Sequence, residues 1–272
     1  MLAFVHIKKA AGTTLNHIMR INYIFRHCDV KVLEAGSDDV FRAADMKHLL
    51  KINPFVASIS GHEVRPYGDL RSFIPSIKFI TLLRDPVKRY LSQYQHNYEI
   101  LGEKLAFSQY LNTESSFNKQ TRTIAGCDDV ELAKEILARR FFLVGTVEAF
   151  DEFLVILKNK IKDRKLHLGY KKQNIRNEKS ALRKSLDEKY EEYKERIIER
   201  NLLDIELYRY VNEVLLPLER EKYGKNLQKH VEDFKATNTN FYRPLFRYLD
   251  FGYRKLYFQP MIQYVRRKNR LS

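Results

Sequence analysis

Apolar residues along the chain form short runs that are separated by longer segments with helical spacing. The runs cover 2–7, 55–60 and 77–83, with a weaker run at 29–33 and another at 141–145. Strands that alternate with helices form βαβ crossovers, so this order predicts an α/β domain with a central, mostly parallel sheet flanked by helices. Ligands of such sheets bind beyond the carboxyl ends of the strands. The residues that follow each strand are therefore the candidates for chemistry.

The second half of the chain has a different character. Lys179 to Arg200 is dense in charge, and its apolar residues recur at helical spacing, which predicts an amphipathic helix. Leu202 to Tyr223 predicts another helix, which ends near Gly224. The buried side of that helix is predicted to carry Leu203, Leu207, Val211, Val214 and Leu215. We divide the chain into a domain at 1–224 and a basic, aromatic, helical extension at 225–272.

Charge is unevenly distributed along the chain. The net charge is +15, of which residues 1–150 (20 basic, 16 acidic) carry +4 and residues 151–272 (29 basic, 18 acidic) carry +11. Such a charge attracts polyanions, so nucleic acid, anionic lipid, acidic glycan and a multiply charged nucleotide all remain open as partners. The two cysteines, Cys28 and Cys127, are interpreted as free thiols. The first residues show neither a signal peptide nor a membrane span, which makes a cytosolic location the expectation.

The first candidate site follows the first apolar run. His6 is followed by two lysines, two alanines, Gly12 and two threonines, and an apolar helical face begins at Leu15. A loop of small residues between a strand and a helix binds anions through its backbone N–H groups and the positive end of the helix. Lys9 supplies charge there, Gly12 lets the backbone approach a phosphate, and Thr13 and Thr14 offer hydroxyl donors.

This loop differs from the P-loop of nucleoside triphosphate enzymes. That motif begins with Gly and places Lys after its second Gly, whereas here Thr13 follows Gly12. A kinase or another nucleotide-dependent phosphotransferase is therefore disfavoured, and it is kept as an alternative function.

A second anion-binding signature follows the run at 77–83. Arg84 is placed at the carboxyl end of that strand, and Pro86 suits the first position of the next helix. Ser92 lies two turns into this helix, so a guanidinium fork and a hydroxyl group are expected to converge on one phosphate. Two anion sites on neighbouring βα units suit a nucleotide with two phosphate groups.

Together these segments resemble the carbohydrate sulfotransferases that are related to heparan sulfate 2-O-sulfotransferase. The loop at 6–14 resembles H-I-P-K-T-A-G-T-T, with Lys8 in place of Pro and Ala10 in place of Thr or Ser. The segment 84–94 resembles R-D-P-x-x-R-x-x-S-x-Y, and 118–126 resembles N-x-x-T-R-x-L-A-G. Residues 142–148 are similar to a further element of that family, and Asn174 and 203–208 are weaker matches.

The resemblance implies a P-loop-kinase-like sulfotransferase fold and 3′-phosphoadenosine 5′-phosphosulfate (PAPS) as the donor, without a metal. It implies that the first loop binds the 5′-phosphosulfate and that Arg84 and Ser92 bind the 3′-phosphate. We assign Lys9 to the bridging and leaving-group oxygens as a catalytic residue. The donor-binding residues are then Lys9, Ala10, Ala11, Gly12, Thr13, Thr14, Arg84 and Ser92.

His62 is the candidate catalytic base. It directly follows the run at 55–60, and the ordinary pKa of an imidazole, roughly 6.5, suits proton abstraction near neutral pH. A Gly-His pair at this point also resembles the catalytic histidine of the family. His96 is the second candidate, although its polar surroundings in the sequence are typical of a helix surface.

The acceptor is expected to be a carbohydrate hydroxyl group, on a soluble or lipid-linked glycan. Arg65, Lys119 and Arg122 are candidates for binding an acidic acceptor, with solvated surface charge as the alternative interpretation of each. Animal members of the family are anchored Golgi proteins, so the unanchored start of this chain suggests a bacterial, cytosolic enzyme.

The extension is the segment with the least specific signal. Residues 241–272 contain nine Phe or Tyr residues and eight Lys or Arg residues against one acid, Asp250. Packing on the core or an oligomer contact is the first interpretation. Peripheral contact with the inner face of an anionic membrane is the second. A non-enzymatic polyanion- or membrane-binding protein is a further alternative function. This alternative leaves the two phosphate signatures unexplained, so no nucleic-acid partner is expected.

Overall fold

A computed structural model of the chain describes residues 1–34, 38–162, 166–171, 181–238 and 244–271. The sheet in these residues has five strands, all parallel, in the order β2-β3-β1-β4-β5. The strands are β1 Leu2–Val5, β2 His27–Asp29, β3 Ser58–Gly61, β4 Lys78–Leu83 and β5 Phe141–Thr146. The predicted α/β class with a mostly parallel sheet is confirmed. Strand order reverses at β1, so the ends of β1, β3 and β4 form the crevice where ligands of such folds bind.

The edge strand β2 begins two residues before the weak apolar run that predicted it. The reason is that the strand is held by polar groups. His27 is buried and its two ring nitrogens lie 2.9 Å from Ser58 Oγ and 3.2 Å from Ser60 Oγ on β3. A hydrophobic pattern does not detect such a strand, because the buried residues satisfy each other by hydrogen bonds.

Helices cover both faces of the sheet. Those before the last strand are α1 Gly12–Asn22, α2 Ala43–Ile52, α3 Leu70–Phe73, α4 Pro86–Glu99, α5 Phe107–Tyr110, α6 Lys119–Ala125 and α7 Val130–Arg140. Those after it are α8 Phe150–Ile161, α9 Ala181–Arg200, α10 Leu202–Tyr210, α11 Leu216–Tyr223, α12 Leu227–Thr237, α13 Pro244–Tyr253 and α14 Gln259–Leu271.

Alternate residues of β1 divide the core between the two faces. Ala3 and Val5 belong to the cluster formed with α2, α7, α10 and α14. Leu2 and Phe4 belong to the cluster formed with α1, α8 and α12. This alternation follows from the two-residue repeat of a strand, and it leaves both faces of β1 fully covered.

The helix predicted from Leu202 to Tyr223 is interrupted by a wider, π-helical turn at Val211–Leu215. The prediction that Val214 lies on the buried side is wrong, since 39% of it is exposed and Leu216 is buried instead. A π turn adds about one residue to a helical turn, so the next fully buried residue after Val211 is Leu216, one position beyond the predicted Val214 and Leu215. The helix ends at Gly224, whose φ of 91° suits a glycine.

The last helical segment runs along the β2 side of the domain. We call residues 244–271 the tail helix; it consists of α13, a π turn at Arg254–Phe258 and α14. Phe258 and Ile262 are buried in the core cluster that contains α2. Tyr257 Oη donates to the carbonyl of Ile52, and Asn269 Nδ2 donates to the carbonyl of Leu33.

No helix among the residues that the structure describes combines the length and the apolar character needed to cross a bilayer.

Candidate active site

The loop between β1 and α1 is tightly wound. Lys9 and Ala11 both have positive φ, 70° and 54°. Helix α1 begins at Gly12, earlier than the apolar face that predicted it at Leu15. Its N-cap residue is Ala11, which has no side-chain oxygen, so no N-cap side chain competes with an anionic ligand for the first amide groups of the helix.

Gly12 is required by the ring of His6. A Cβ atom at position 12 would lie 1.8 Å from His6 Nε2, far inside contact distance. The His6 ring in turn lies on Phe4, with ring centroids 5.3 Å apart. The loop therefore holds its shape because an imidazole lies directly on the glycine backbone.

His62 packs against the other side of this arrangement. Its ring centroid lies 4.2 Å from that of His6, and its Nδ1 lies 2.8 Å from the His6 carbonyl oxygen. A carbonyl only accepts, so Nδ1 carries the hydrogen and donates it. In the neutral ring Nε2 then keeps its lone pair and can accept a proton.

Both histidines are held in the neutral form. Burial lowers the pKa of His62 below its ordinary value of 6.5, and Lys8 and Arg65 lower it further, against the opposing hydrogen bond to His6. Burial, with help from His62, lowers the pKa of His6 to about 3. A base that is neutral near pH 7 is what proton abstraction requires.

Arg84 connects the two predicted phosphate-binding elements. It follows β4 directly, and its Nη1 donates to the carbonyl oxygen of Lys9 over 3.1 Å. Helix α4 then begins at Pro86, and Asp85 caps it by accepting from Lys88 N over 2.8 Å. Ser92 is buried on this helix. The first loop and the second signature thus meet at the carboxyl edge of β1 and β4.

The backbone of Arg84 is fixed by Gln120. The Gln120 side chain accepts from Arg84 N and donates to the Arg84 carbonyl, both over 2.9 Å. Gln120 is fully buried on α6. A side-chain amide that makes both bonds to one residue replaces the pairing that a neighbouring strand would provide.

Asp204 holds the start of α6 in place. Its carboxylate accepts from the backbone N–H groups of Gln120 and Thr121, over 3.1 and 2.8 Å, and from Thr121 Oγ1 over 2.9 Å. Arg89 Nε lies 3.9 Å from the same carboxylate, and Arg89 Nη2 donates to the carbonyl of Ser116. Burial raises the pKa of Asp204, while Arg89 and these hydrogen bonds oppose that shift.

Gln120, Asp204 and Arg89 support the site, but the sequence did not predict these roles. Gln120 and Asp204 do lie in segments that resemble the family, but nothing in the pattern distinguished Asp204 from a surface acid. Its flanking apolar residues Leu203 and Leu207, with Asp204 itself on the inner side of the helix, are the signal that was available.

Glu148 makes a similar link at the end of β5. Its carboxylate accepts from Asp85 N over 3.3 Å and from Tyr208 Oη over 2.9 Å. The segments at 84–94, 142–148 and 203–208 are therefore joined in space, as they are joined in the motif resemblance.

Cationic side chains crowd around Lys119. Burial lowers the pKa of Lys119, and the cations Lys8, Arg65, Arg89 and Arg122 lower it further. Crowding of this kind, which disfavours the charged form of Lys119, is relieved when an anion binds. Of the predicted acceptor residues, Arg65 is close enough to His62 to affect its pKa, and Arg65 also affects the pKa of Lys119.

Arg122 is engaged elsewhere. Its Nε and Nη2 donate to the two carboxylate oxygens of Asp128, each over 2.6 Å, and its Nη1 donates to the carbonyl of Glu114. These bonds fix α6 to its flanking loops. Arg122 therefore has a structural role in addition to its positive charge.

The remaining predicted residues that the structure describes lie in the first loop, on α1 and on α4. Thr14 is buried in the first turn of α1, whereas Thr13 is exposed there, and Ala10 is buried in the loop. His96 follows Ser92 by one turn of α4. Asn174 lies outside the residues that the structure describes.

Comparison with known families gives a match over most of the chain. The family model described as "Sulfotransferase family" matches residues 1–211. A search of curated proteins finds no match. The matched region contains β1 to β5 and each residue of the site described above, from His6 to Asp204.

Proposed function

The chain belongs to the sulfotransferase family, and from this membership we propose that it transfers a sulfuryl group from PAPS to a hydroxyl group of a carbohydrate. The observation that carries the proposal is the contact between Arg84 and the Lys9 carbonyl. It joins two anion-binding elements at one sheet edge, beside a histidine that is kept neutral. A donor with phosphate groups at its 5′ and 3′ positions fits two such elements.

The residues present fit this donor. Lys9, Gly12, Thr13 and Thr14 would hold its 5′ end, since the loop is wound close enough for backbone amides to bind phosphate and its N-cap residue has no oxygen. Arg84 and Ser92 would hold the 3′-phosphate. When bound, the donor supplies a sulfuryl group that is attached to a phosphate leaving group.

His62 supplies the base in this proposal. Its Nε2 takes the proton of the acceptor hydroxyl as the hydroxyl oxygen forms its bond to sulfur and the bond from sulfur to the bridging oxygen breaks. The His6 carbonyl fixes Nδ1 in the protonated tautomer and so keeps Nε2 available. Lys9 neutralises the charge that develops on the departing phosphate, and Thr13 and Thr14 assist as donors.

An acidic carbohydrate is the acceptor that suits the surroundings of His62. Lys8 and Arg65 lie close enough to lower the pKa values of both His62 and Lys119. A carboxylate or sulfate group on the acceptor would stabilise these cations and align the hydroxyl group with Nε2.

Isothermal titration with 3′-phosphoadenosine 5′-phosphate, next to AMP and ATP, tests the donor. We expect tight binding that depends on the 3′-phosphate, that falls by about tenfold or more in Arg84→Ala and Lys9→Ala, and that stays unchanged in Arg139→Ala. Arg139 is a matched control because its side chain is 77% exposed on α7.

The outcome of the titration decides between the functions that remained open. Binding of ATP in preference to the 3′-phosphorylated nucleotide would overturn the proposal in favour of a kinase. Salt-sensitive binding of RNA or DNA without affinity for any of the nucleotides would indicate a polyanion-binding protein. If the donor is established, transfer of labelled sulfate to neutral and acidic sugars then tests the acceptor.

A further inference from the structure

The tail helix has one face against the domain. Phe258 and Ile262 are buried there, and Tyr253 Oη accepts from Asn53 Nδ2 over 3.1 Å. Arg254 is bonded to Asp29, which also binds Arg20 of α1. This face is fully used for packing, so the helix is held in a fixed orientation on the β2 side of the sheet.

The opposite face of the same helix is apolar and exposed. Leu256 is 84% exposed, and Phe251 and Tyr264 are each 60% exposed. Tyr248 and Leu249 extend this exposed surface toward the start of the helix. Single exposed apolar residues are normal on a soluble protein, but successive turns of one helix that expose large apolar side chains indicate an interaction surface.

Two loops of the domain with exposed aromatic residues border the tail helix. Phe25 contacts Tyr253 of the tail helix, with ring centroids 5.2 Å apart, and is 40% exposed. Phe55 is 76% exposed, and Asn53, which bonds to both the Phe25 carbonyl and Tyr253, also accepts from Phe55 N. The exposed ring of Phe25 therefore lies beside the tail helix, and Asn53 connects the Phe55 backbone to the same helix.

The charge of this region is strongly positive. Residues 241–272 hold eight basic residues and one acid, a net charge of +7. Lys255, Arg267 and Lys268 are exposed on the helix that carries the apolar side chains. We propose that the exposed face of the tail helix, together with Phe25 and Phe55, is a peripheral binding surface for an anionic lipid bilayer.

Charge and chemistry favour this partner over the other candidates. A second copy of the chain would bring two segments of net charge +7 against each other, which costs energy through repulsion. Nucleic acid would use the cations and the aromatic rings, but Leu249 and Leu256 would gain nothing from phosphate groups. A bilayer with anionic headgroups uses the cations, the aromatic rings and the aliphatic side chains together.

Vesicle co-sedimentation of the full chain tests the proposal. The vesicles are neutral phosphatidylcholine, or phosphatidylcholine with phosphatidylglycerol as a minor component. The test variant is Leu256→Glu/Tyr264→Glu, and the matched control is Leu132→Glu/Leu218→Glu, which adds the same charge at residues that are 37% and 44% exposed elsewhere. Thermal unfolding confirms that all proteins remain folded.

The test variant, but not the control, is expected to lose affinity for anionic vesicles. We expect the unchanged chain to bind anionic vesicles about tenfold or more tightly than neutral ones, because the cations add to the apolar contribution. The test variant should lose about tenfold or more of this affinity, and the control should lose far less, since only the test variant removes side chains from the bilayer contact.

Several results would overturn the proposal. These are no binding by the unchanged chain, equal binding to neutral and anionic vesicles, and unchanged binding by the test variant. An equal loss in the control variant would show that net charge alone governs binding. Sedimentation velocity and a labelled oligonucleotide complete the test: if the test variant loses a dimer or RNA binding but keeps vesicle binding, the partner is a second copy or a nucleic acid.

Discussion

The carboxyl edge of the sheet and the β2 side of the domain both hold partly buried cations, but on the β2 side two of these cations are neutralised by one shared carboxylate. On the β2 side Arg20 and Arg254 share Asp29, and the hydrogen bond from His27 and the two arginines outweigh burial and hold the pKa of that carboxyl below its ordinary value. At the carboxyl edge burial and neighbouring cations lower the pKa of Lys119. Balanced charge therefore fixes the position of a helix, whereas crowded positive charge indicates a site for an anion.

The largest expected effect is the loss of turnover in His62→Ala. General base catalysis contributes about 10²–10⁴ in rate, so kcat should fall by that factor while the affinity for 3′-phosphoadenosine 5′-phosphate persists. His96→Ala is the matched control and should keep its activity. Steady-state kinetics and titration check both variants. Full activity in His62→Ala, or a comparable loss in His96→Ala, would eliminate the assignment.

Removing the carboxylates of Asp204 and Asp29 in turn tests the comparison through stability. Asp204→Ala leaves Arg89 buried without its partner, and we expect the free energy of unfolding to fall by about 3–5 kcal/mol. Asp29→Ala should cost less, about 1–3 kcal/mol, because the Asp29 side chain is 25% exposed while that of Asp204 is 0% exposed. Urea unfolding of both variants measures the difference, and equal losses would contradict the expected order.

Gly12→Ala tests the contact between the loop and His6. The new methyl group would overlap the imidazole, so we expect a loss of about 1–3 kcal/mol in stability. Adding His6→Ala to this variant should restore part of that loss, which a double-mutant cycle would show as coupling between the two positions. Gly252→Ala is the matched control, since a Cβ there meets no atom within 4 Å. Additive losses would contradict the contact.

Gln120→Met tests whether the support of Arg84 matters for the donor. The change keeps the size of the side chain and removes both hydrogen bonds to the Arg84 backbone. At about 1 kcal/mol for each bond, the preference for 3′-phosphoadenosine 5′-phosphate over AMP should fall by up to about 30-fold. Gln109→Met, which changes a glutamine that caps α5, should keep the preference. An unchanged preference in Gln120→Met would show that Arg84 does not need this support.

The smallest expected effect is a shift in the pH profile. Burial lowers the pKa of His62, so the base stays neutral and active below pH 6.5, and the acidic limb of kcat/KM should have its midpoint below that value. Stability must be followed by circular dichroism alongside. His6 has a folded pKa of about 3, below its unfolded value, so its contribution to stability is present above pH 6.5 and is lost as the pH falls toward 3. A midpoint at or above 6.5 with folded protein would contradict the prediction.

The sequence predicted the parts of the site that consist of contiguous motifs. The strand runs at 77–83 and 141–145 correspond to β4 and β5, and the loop and signature residues follow β1 and β4 as predicted. It did not predict contacts that join distant segments, such as Asp204 with α6 over 83 positions. Such contacts depend on how helices pack, and a single acid in a helix carries no sign of its partner.

Two predictions from periodicity, the buried face after Val211 and the start of β2, were wrong. The π turn at Val211–Leu215 shifted the buried face of one helix. Strand β2 begins before its predicted start, where His27 bonds to Ser58 and Ser60. Periodicity assumes a constant rotation for each residue and an apolar interior. Both assumptions fail where a helix adds a residue to one turn or where polar groups satisfy each other inside the core.

The ring of His6 contacts both the Gly12 backbone and the ring of His62. One side chain therefore connects the glycine of the loop with the candidate base. A larger residue at position 12 requires a smaller or displaced side chain at position 6, and a change at position 6 alters the contact with His62. In related chains these three positions should consequently vary together or not at all, and the pairs they form should be recognisable as covariation between residues that are far apart in sequence.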